Sequence, residues 1–219
     1  MSPDSLKIRL RRTAREWLLP FAVMALILGS VRSSVADWND VPSGSMRPTI
    51  FEGERIAVNR LAYDLKLPFT GLRLARWATP ERGDIVILHS PVDGKRLVKR
   101  VVGLPGDQLA MQGGRLVING QPLVYTALSA DCWQEQLGGR VHRIRRDEGR
   151  PHLRDGGPLR VPAGHYFVMG DNRDNSADSR VFGCVAQDAI MGEVKAVVGS
   201  LDPQRHWLPR WERWFKRLS

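Results

Sequence analysis

Leu97-Val98-Lys99-Arg100-Val101-Val102-Gly103 is a short apolar run, rich in β-branched residues and closed by glycine. Such a run favours a strand over a helix, because branched side chains pack well on a pleated surface and lose rotamer freedom in a helix. Alternation then puts Lys99 on one face with Leu97 and Val101, and turns Arg100 to the other. A lysine on an apolar face is costly to bury unless it is paired or neutral. On this stretch alone, a lysine on a solvated strand face is the preferred reading.

Outward from it the same texture repeats. Residues 55–59, 84–89, 97–103, Gln108–Gln112, Arg115–Ile118, His165–Met169 and 193–199 read as short strands punctuated by Gly, Pro and Asn. Gly113-Gly114 between two runs reads as a tight hairpin, and Asn119-Gly120 supplies another turn. No long segment of helical period follows residue 35 until the C-terminus, and there is no internal repeat. The expected fold is mostly β: a core of residues 36–120 and 161–204, with residues 121–160 as a smaller inserted domain.

The formal charge of +10 over 219 residues raises two partners, nucleic acid and an anionic membrane surface. Basic residues gather before an apolar N-terminal stretch (Lys7, Arg9, Arg11, Arg12, Arg15), in residues 140–154, and at the C-terminus. No zinc-finger spacing or RNP-like aromatic run accompanies them, so membrane proximity is favoured and no nucleic-acid partner is expected. A solvated basic surface fits the central group equally well. Cys132 and Cys184 make no metal site, for there is no CxxC, and His142 and His152 sit among arginines. Neither a metal nor a cofactor is expected. Whether the cysteines pair stays open, since a bridge needs a specific Cα separation.

Trp17 to Val31 reads WLLPFAVMALILGSV without a charge. It is short for a spanning helix, which wants about twenty residues, and it also resembles the apolar core of a cleavable signal. Arg15, Trp17 and Arg32 at its ends favour an anchor over residues 17–35. With five cations in the tail of residues 1–16 and only Arg32 close behind the span, the N-terminus stays in the cytoplasm and the rest faces outward. In residues 205–219, Trp207, Trp211, Trp214 and Phe215 recur at helical spacing with Arg210, Arg213, Lys216 and Arg217 between them. That pattern predicts a short amphipathic helix, either in the membrane interface or packed on the β domain.

Three further segments carry chemistry. Pro42-Ser43-Gly44-Ser45-Met46-Arg47-Pro48-Thr49 is a Ser-Gly-Ser turn bracketed by prolines, where small residues leave a hydroxyl uncrowded. A nucleophilic serine needs a base, and none of the five histidines stands in a triad context. The alternative is a lysine kept neutral by burial, and Lys99 fits. Glu81-Arg82-Gly83-Asp84-Ile85-Val86 is a turn feeding a strand. Gly170-Asp171-Asn172-Arg173-Asp174-Asn175-Ser176-Ala177-Asp178-Ser179-Arg180 lacks the EF-hand spacing and holds too many arginines for a calcium loop, which leaves a polar loop fixed by Asp–Arg pairs.

Taken together and in this order, PSGSMRPT, RGDIV, KRVVGLPGD and GDNRDNSADSR resemble the bacterial type I signal peptidases, Ser/Lys proteases of the membrane. The likeness runs from about residue 11 to 199. It implies a β-rich catalytic domain on the outer face of the cytoplasmic membrane that removes signal peptides from exported preproteins after small residues at −1 and −3. By the same resemblance Ser45 is the nucleophile, Lys99 the general base, and Ser43 an oxyanion-hole donor beside the Ser45 N–H. Ser176 orients Lys99, Asp178 and Arg180 brace the site, and Val41, Met46 and Val98 line the substrate pocket.

The chain departs from the family in its approach to the serine turn, where Ala36-Asp37-Trp38-Asn39-Asp40 is polar except for Trp38. It also has only one plausible span. Three other readings compete with it: a Ser/Lys maturation peptidase for a narrow client such as a conjugation or pilus protein, a self-cleaving repressor, and a membrane-tethered β-rich binding protein. The repressor lacks its DNA-binding domain here, and the binding protein would not require both Ser45 and Lys99.

Overall fold

The computed structural model describes residues 14–34, 36–67, 72–146 and 155–218. The basic N-terminal residues Lys7 to Arg12 and His152 lie outside them. A π-helical turn, Ala14–Leu18, runs into helix α1, Leu19–Ser34. The chain then forms β1 (Ala36–Asp40), β2 (Glu54–Asn59), β3 (Asp64–Lys66), β4 (Arg73–Arg76), β5 (Ile85–His89) and β6 (Arg96–Gly103). Next come β7 (Gln108–Gln112), β8 (Arg115–Ile118), β9 (Gln121–Pro122), β10 (Val124–Ala127), β11 (Cys132–Leu137) and β12 (Arg140–Arg145). The last part holds β13 (Gly156–Arg160), β14 (His165–Met169), helix α2 (Ser179–Phe182), β15 (Val185–Ala186), β16 (Ile190–Asp202) and β17 (Leu208–Pro209).

The architecture is mostly β, as the turn-punctuated runs predict. The main sheet runs β1-β2-β16-β5-β6-β14-β15, with β17 added to the end of β16. A second sheet, β13-β7-β8-β9, and a third, β10-β11-β12, carry the middle of the chain. The segment around residues 121–160 therefore contributes to two sheets: β9 and β13 join β7 and β8, and residues 124–145 stand as the small third sheet. The β7–β8 hairpin turns through Gly113 and Gly114 at φ 55° and 73°, and β8 reaches β9 through Asn119 and Gly120 at 52° and 79°. Successive left-handed residues match the twist of a two-residue hairpin, so the Gly-Gly and Asn-Gly pairs are where this backbone requires them.

Burial falls into three apolar clusters. Val41, Met46, Ile50, Ile56, Ile85, Ile87 and Val197 belong to the first, with Val98 packed against it. The second joins β7 and β8 to Phe167 and Met169, and the third contains Val86, Leu88, Val101 and Val168 with Leu97 against it. β6 thus has core on both faces, Val98 toward one cluster and Leu97 and Val101 toward another. A lysine in such a strand has no water-facing side.

One expectation is corrected. The C-terminal residues form no amphipathic helix. They make 3-10 turns at Pro203–Arg205 and Trp211–Arg213 with β17 between, and His206, Trp207 and Phe215 take positive φ. Pro209 cannot supply a helical N–H. The free edge of β16 offers other partners: the Val197 N–H donates to Lys216 O at 2.8 Å and the Leu218 N–H to Lys195 O at 2.9 Å. As for the span expected over residues 17–35, α1 has 16 residues, and among the described residues no helix is long and apolar enough to cross a membrane. Cys132 and Cys184 are both free thiols.

Candidate active site

The loop after β1 brings a hydroxyl and an amine together. Ser45 sits in a single 3-10 turn, Gly44–Met46, entered from extended Ser43 and anchored by Met46, which is buried in the first cluster. Lys99 reaches it from β6: its Nζ donates to Ser45 Oγ at 2.8 Å, and the residue is only 2% exposed. Burial pushes the Lys99 ammonium down to about 8, helped by the Arg180 cation and opposed by the Asp178 and Asp171 carboxylates. Ser43 Oγ lies 3.4 Å from Ser45 Oγ on the exposed side.

The polar loop after β14 folds over this turn. Asn172 holds it twice, its N–H donating to Ser45 O and its Nδ2 to Gly44 O, both at 3.0 Å. Gly170 must lack a side chain, because a Cβ there would overlap Ser45 O and Ser176 Oγ. Gly44 is less constrained, since the space of its missing Cβ is taken by the end of the flexible Glu52 side chain. Beneath them Arg100 forms a buried two-point ion pair with Asp171, 2.9 Å at each contact, and its third nitrogen donates to Gly83 O at 2.8 Å. Thr49 Oγ1 completes the Asp171 carboxylate at 2.5 Å. Burial alone would raise the Asp171 carboxyl, but Arg100 outweighs it and holds the group below the usual carboxylate range. Four segments of distant sequence are thereby tied to one carboxylate.

Asp178 and Arg180 pair through two 2.8 Å contacts, and Asp178 also accepts the Gly170 N–H at 3.0 Å and caps α2. Burial would raise the Asp178 carboxyl; the Arg180 guanidinium, the Gly170 N–H and the nearby Ser176 hydroxyl outweigh that and keep it ionised. Arg180 passes the constraint on, donating to Arg173 O at 2.5 Å. Ser176 differs from its expected part. Its Oγ is buried beside Gly170 and near the Asp178 carboxylate, and no hydrogen bond joins it to Lys99.

Val41 and Met46 are buried members of the first cluster, and Val98 packs against it. Sequence reading missed Arg100, Asp171 and Asn172 as individual site residues. Their signal was the cost of so many charges in two short segments, which only mutual pairing offsets. It also missed the connection to the small sheet, where Arg173 pairs with buried Glu135 at 2.5 and 2.7 Å, and Tyr125 donates to the same carboxylate.

The family model described as "Signal peptidase, peptidase S26" matches residues 14–199. The chain belongs to the S26 signal peptidase family. The "Signal peptidase I" of Pseudomonas fluorescens is 37% identical over 214 residues, covering 88% of this chain and 75% of that one. That of Pseudomonas aeruginosa is 36% identical with the same coverage, and "Signal peptidase I T" of Bacillus subtilis is 34% identical over 84% of this chain and 85% of its own. The S26 match includes the serine turn, the lysine strand and the polar loop that meet in the structure, and leaves the C-terminal tail outside it.

Proposed function

We propose that this protein is a membrane-bound signal peptidase that cleaves signal peptides from exported preproteins through Ser45 and Lys99. The observation that carries the reading is the 2.8 Å contact between Ser45 Oγ and a lysine sealed in an apolar strand. Near pH 8 a large share of Lys99 is neutral and accepts the Ser45 proton as Oγ attacks the scissile carbonyl carbon. The Ser45 N–H and the Ser43 hydroxyl are the donors for the resulting oxyanion. The Lys99 ammonium then gives its proton to the departing amine, and a water attacks the acyl-enzyme with Lys99 again as base. Asp178 and Arg180 hold the loop that carries Gly170 and Ser176. Val41, Met46 and Val98 shape a pocket suited to small side chains at −1 and −3. No cofactor or metal enters this chemistry.

Apolar side chains of α1 such as Phe21, Leu26 and Leu28 are well over half exposed, which suits a lipid environment. With cations ahead of them, the N-terminus is cytoplasmic and the catalytic domain lies on the outer face of the inner membrane. Trp207, Trp211 and Phe215 stand 60–74% exposed beside Arg205, Lys216 and Arg217, a composition suited to the lipid interface. Purified protein in detergent should cut a model preprotein after a small residue, and Ser45→Ala should not. Equal cutting by Ser45→Ala would refute the assignment.

A further inference from the structure

The small sheet β10-β11-β12 presents one polar row to the rest of the domain. Tyr125, Glu135 and His142 stand directly opposite one another across its three strands, so their side chains share a face. Two residues further along that face, Leu137 and Ile144 are fully buried, whereas Gln136, Val141 and Arg143 on the other face are exposed. Glu135 is itself fully buried. A carboxylate among such neighbours is costly unless it is paired. Here it accepts two bonds from Arg173 of the polar loop after β14, at 2.5 and 2.7 Å, and one from the Tyr125 hydroxyl at 2.5 Å. His142 Nε2 lies 3.2 Å from Glu135 Oε1 and 3.8 Å from Asp171 Oδ1. Burial would raise the Glu135 carboxyl, but the Arg173 guanidinium and His142 outweigh it and hold the group well below the usual carboxylate range.

What this row holds lies next to the nucleophile. The end of β12 clasps the backbone on both sides of Asn172: the Arg145 N–H donates to Asp171 O and the Arg173 N–H to Arg145 O, each at 2.8 Å. Asn172 in turn donates to Ser45 O and Gly44 O. The serine turn, residues 171–173 and β12 are therefore joined in one continuous hydrogen-bonded layer. Arg173 adds the side-chain anchor, reaching Glu135 with both terminal nitrogens while its Nε donates to Gly170 O at 3.2 Å. At its other end the sheet is fixed to the turn before β5, where Arg140 pairs with Asp84 at 2.6 Å and with Glu81 at 2.8 Å. A frame pinned at two ends holds the loop it carries to the fraction of an ångström that an attacking hydroxyl needs.

We infer that Glu135, at the centre of the Tyr125–Glu135–His142 row, is a positioning residue for the reaction: through Arg173 it sets the place of Asn172 and hence of Ser45. The inference rests on the signal peptidase reading. It makes the small sheet a working part of the site rather than a surface insertion. The charges that act on Lys99 are those of Asp178, Asp171 and Arg180, so removing the Glu135 charge alters the geometry of the serine turn and not the proton affinity of the amine.

The test is steady-state cleavage of a signal-peptide substrate by the full chain in detergent, comparing wild type with Glu135→Gln and Tyr125→Phe below their melting temperatures. Glu135→Gln keeps the shape of the side chain and removes its charge, and kcat should fall about tenfold, as a slight misplacement of a reacting group costs. KM should stay within about twofold, because substrate binding is not what the row supports. The rise of kcat/KM with pH should keep its inflection near 8. Tyr125→Phe removes one hydrogen bond from the same carboxylate and should lower kcat about threefold; it decides the matter should Glu135→Gln fail to fold. A kcat retained in the folded variants, with only a lower melting temperature, would overturn the positioning role and leave the row as a support of the fold. A raised KM at unchanged kcat, or a shifted inflection, would overturn it too, because the sheet would then shape the substrate groove or tune Lys99. Failure of wild type to cut either a peptide or a full-length preprotein would overturn the peptidase reading and the inference with it.

Discussion

At the residue scale the site turns on one amine. Lys99 has core on both sides of its strand, and burial lowers its proton affinity to about 8 against opposition from two carboxylates. Because only the neutral amine accepts the Ser45 proton, kcat/KM should rise about tenfold per pH unit below 8 and level off above it. A stopped assay across pH 5–10 checks this; a flat profile down to pH 5 would remove the lysine base. The same shift bears on stability with a definite sign. The unfolded lysine keeps its proton up to its ordinary value of 10.5, so between about 8 and that value the unfolded state binds more protons and stability rises with pH. Below that window the burial costs about 3 kcal/mol. Lys99→Met should therefore abolish cleavage and raise the melting temperature at pH 7, and a lower one would contradict the assigned burial cost. Ser45 and Lys99 were legible only through the ordered resemblance of four segments, because a Pro-bracketed Ser-Gly-Ser alone reads as a loop and a lysine in a β-branched run alone reads as a solvated strand face. Ser176 shows the limit: its hydroxyl was placed on Lys99 by resemblance, yet it lies buried beside Gly170. Ser176→Ala removes a hydroxyl that supports the Asp178 carboxylate rather than Lys99, so the pH profile of kcat/KM should keep its inflection near 8. A shifted inflection in Ser176→Ala would place the hydroxyl on Lys99.

At the element scale, what was legible followed local chemistry. The strands from β5 to β8 and β14 appear where alternation and turn residues placed them, and the two hairpins turn on Gly-Gly and Asn-Gly. The C-terminal segment went the other way, because its structure is decided by partners far along the chain. Arg213 inserts under Phe51, with its guanidinium 4.3 Å from the ring. It binds the fully buried Glu54 carboxylate with two nitrogens and donates to Thr49 O at 2.8 Å. Ser200 Oγ donates to the same carboxylate at 3.0 Å. Helical spacing of tryptophans says nothing about a carboxylate more than a hundred residues away. The tail thus braces the loop that carries Ser45. Arg213→Ala would leave Glu54 buried and unpaired, and chemical denaturation should show a loss of about 3 kcal/mol. A loss below about 0.5 kcal/mol would mean that the tail merely rests on the domain.

At the scale of the whole molecule the sheet order explains why four sequence segments converge. β1 and β6 are separated by three strands in the sheet, yet the turn after β1 meets β6 at Ser45 and Lys99. The loop after β14 crosses both and is pinned by Arg100 and Asp171. None of this convergence can be read from periodicity, since it depends on which strand lies next to which. The resemblance of the four segments to one family anticipated that they meet without saying how. Exposed apolar residues on α1 and aromatic residues of the tail lie on the same molecule as the groove, so removal of residues 1–34 should slow cleavage of a preprotein embedded in vesicles while sparing a short soluble peptide. Equal rates on both substrates would argue against membrane docking. The most direct measurement is cleavage of a model preprotein in vesicles by wild type and by Lys99→Met at pH 9, with the cut read by mass spectrometry. A cut after a small residue that disappears in Lys99→Met is the expected result. Undiminished cutting by Lys99→Met would show that another group takes the Ser45 proton and that the Ser45–Lys99 assignment is wrong.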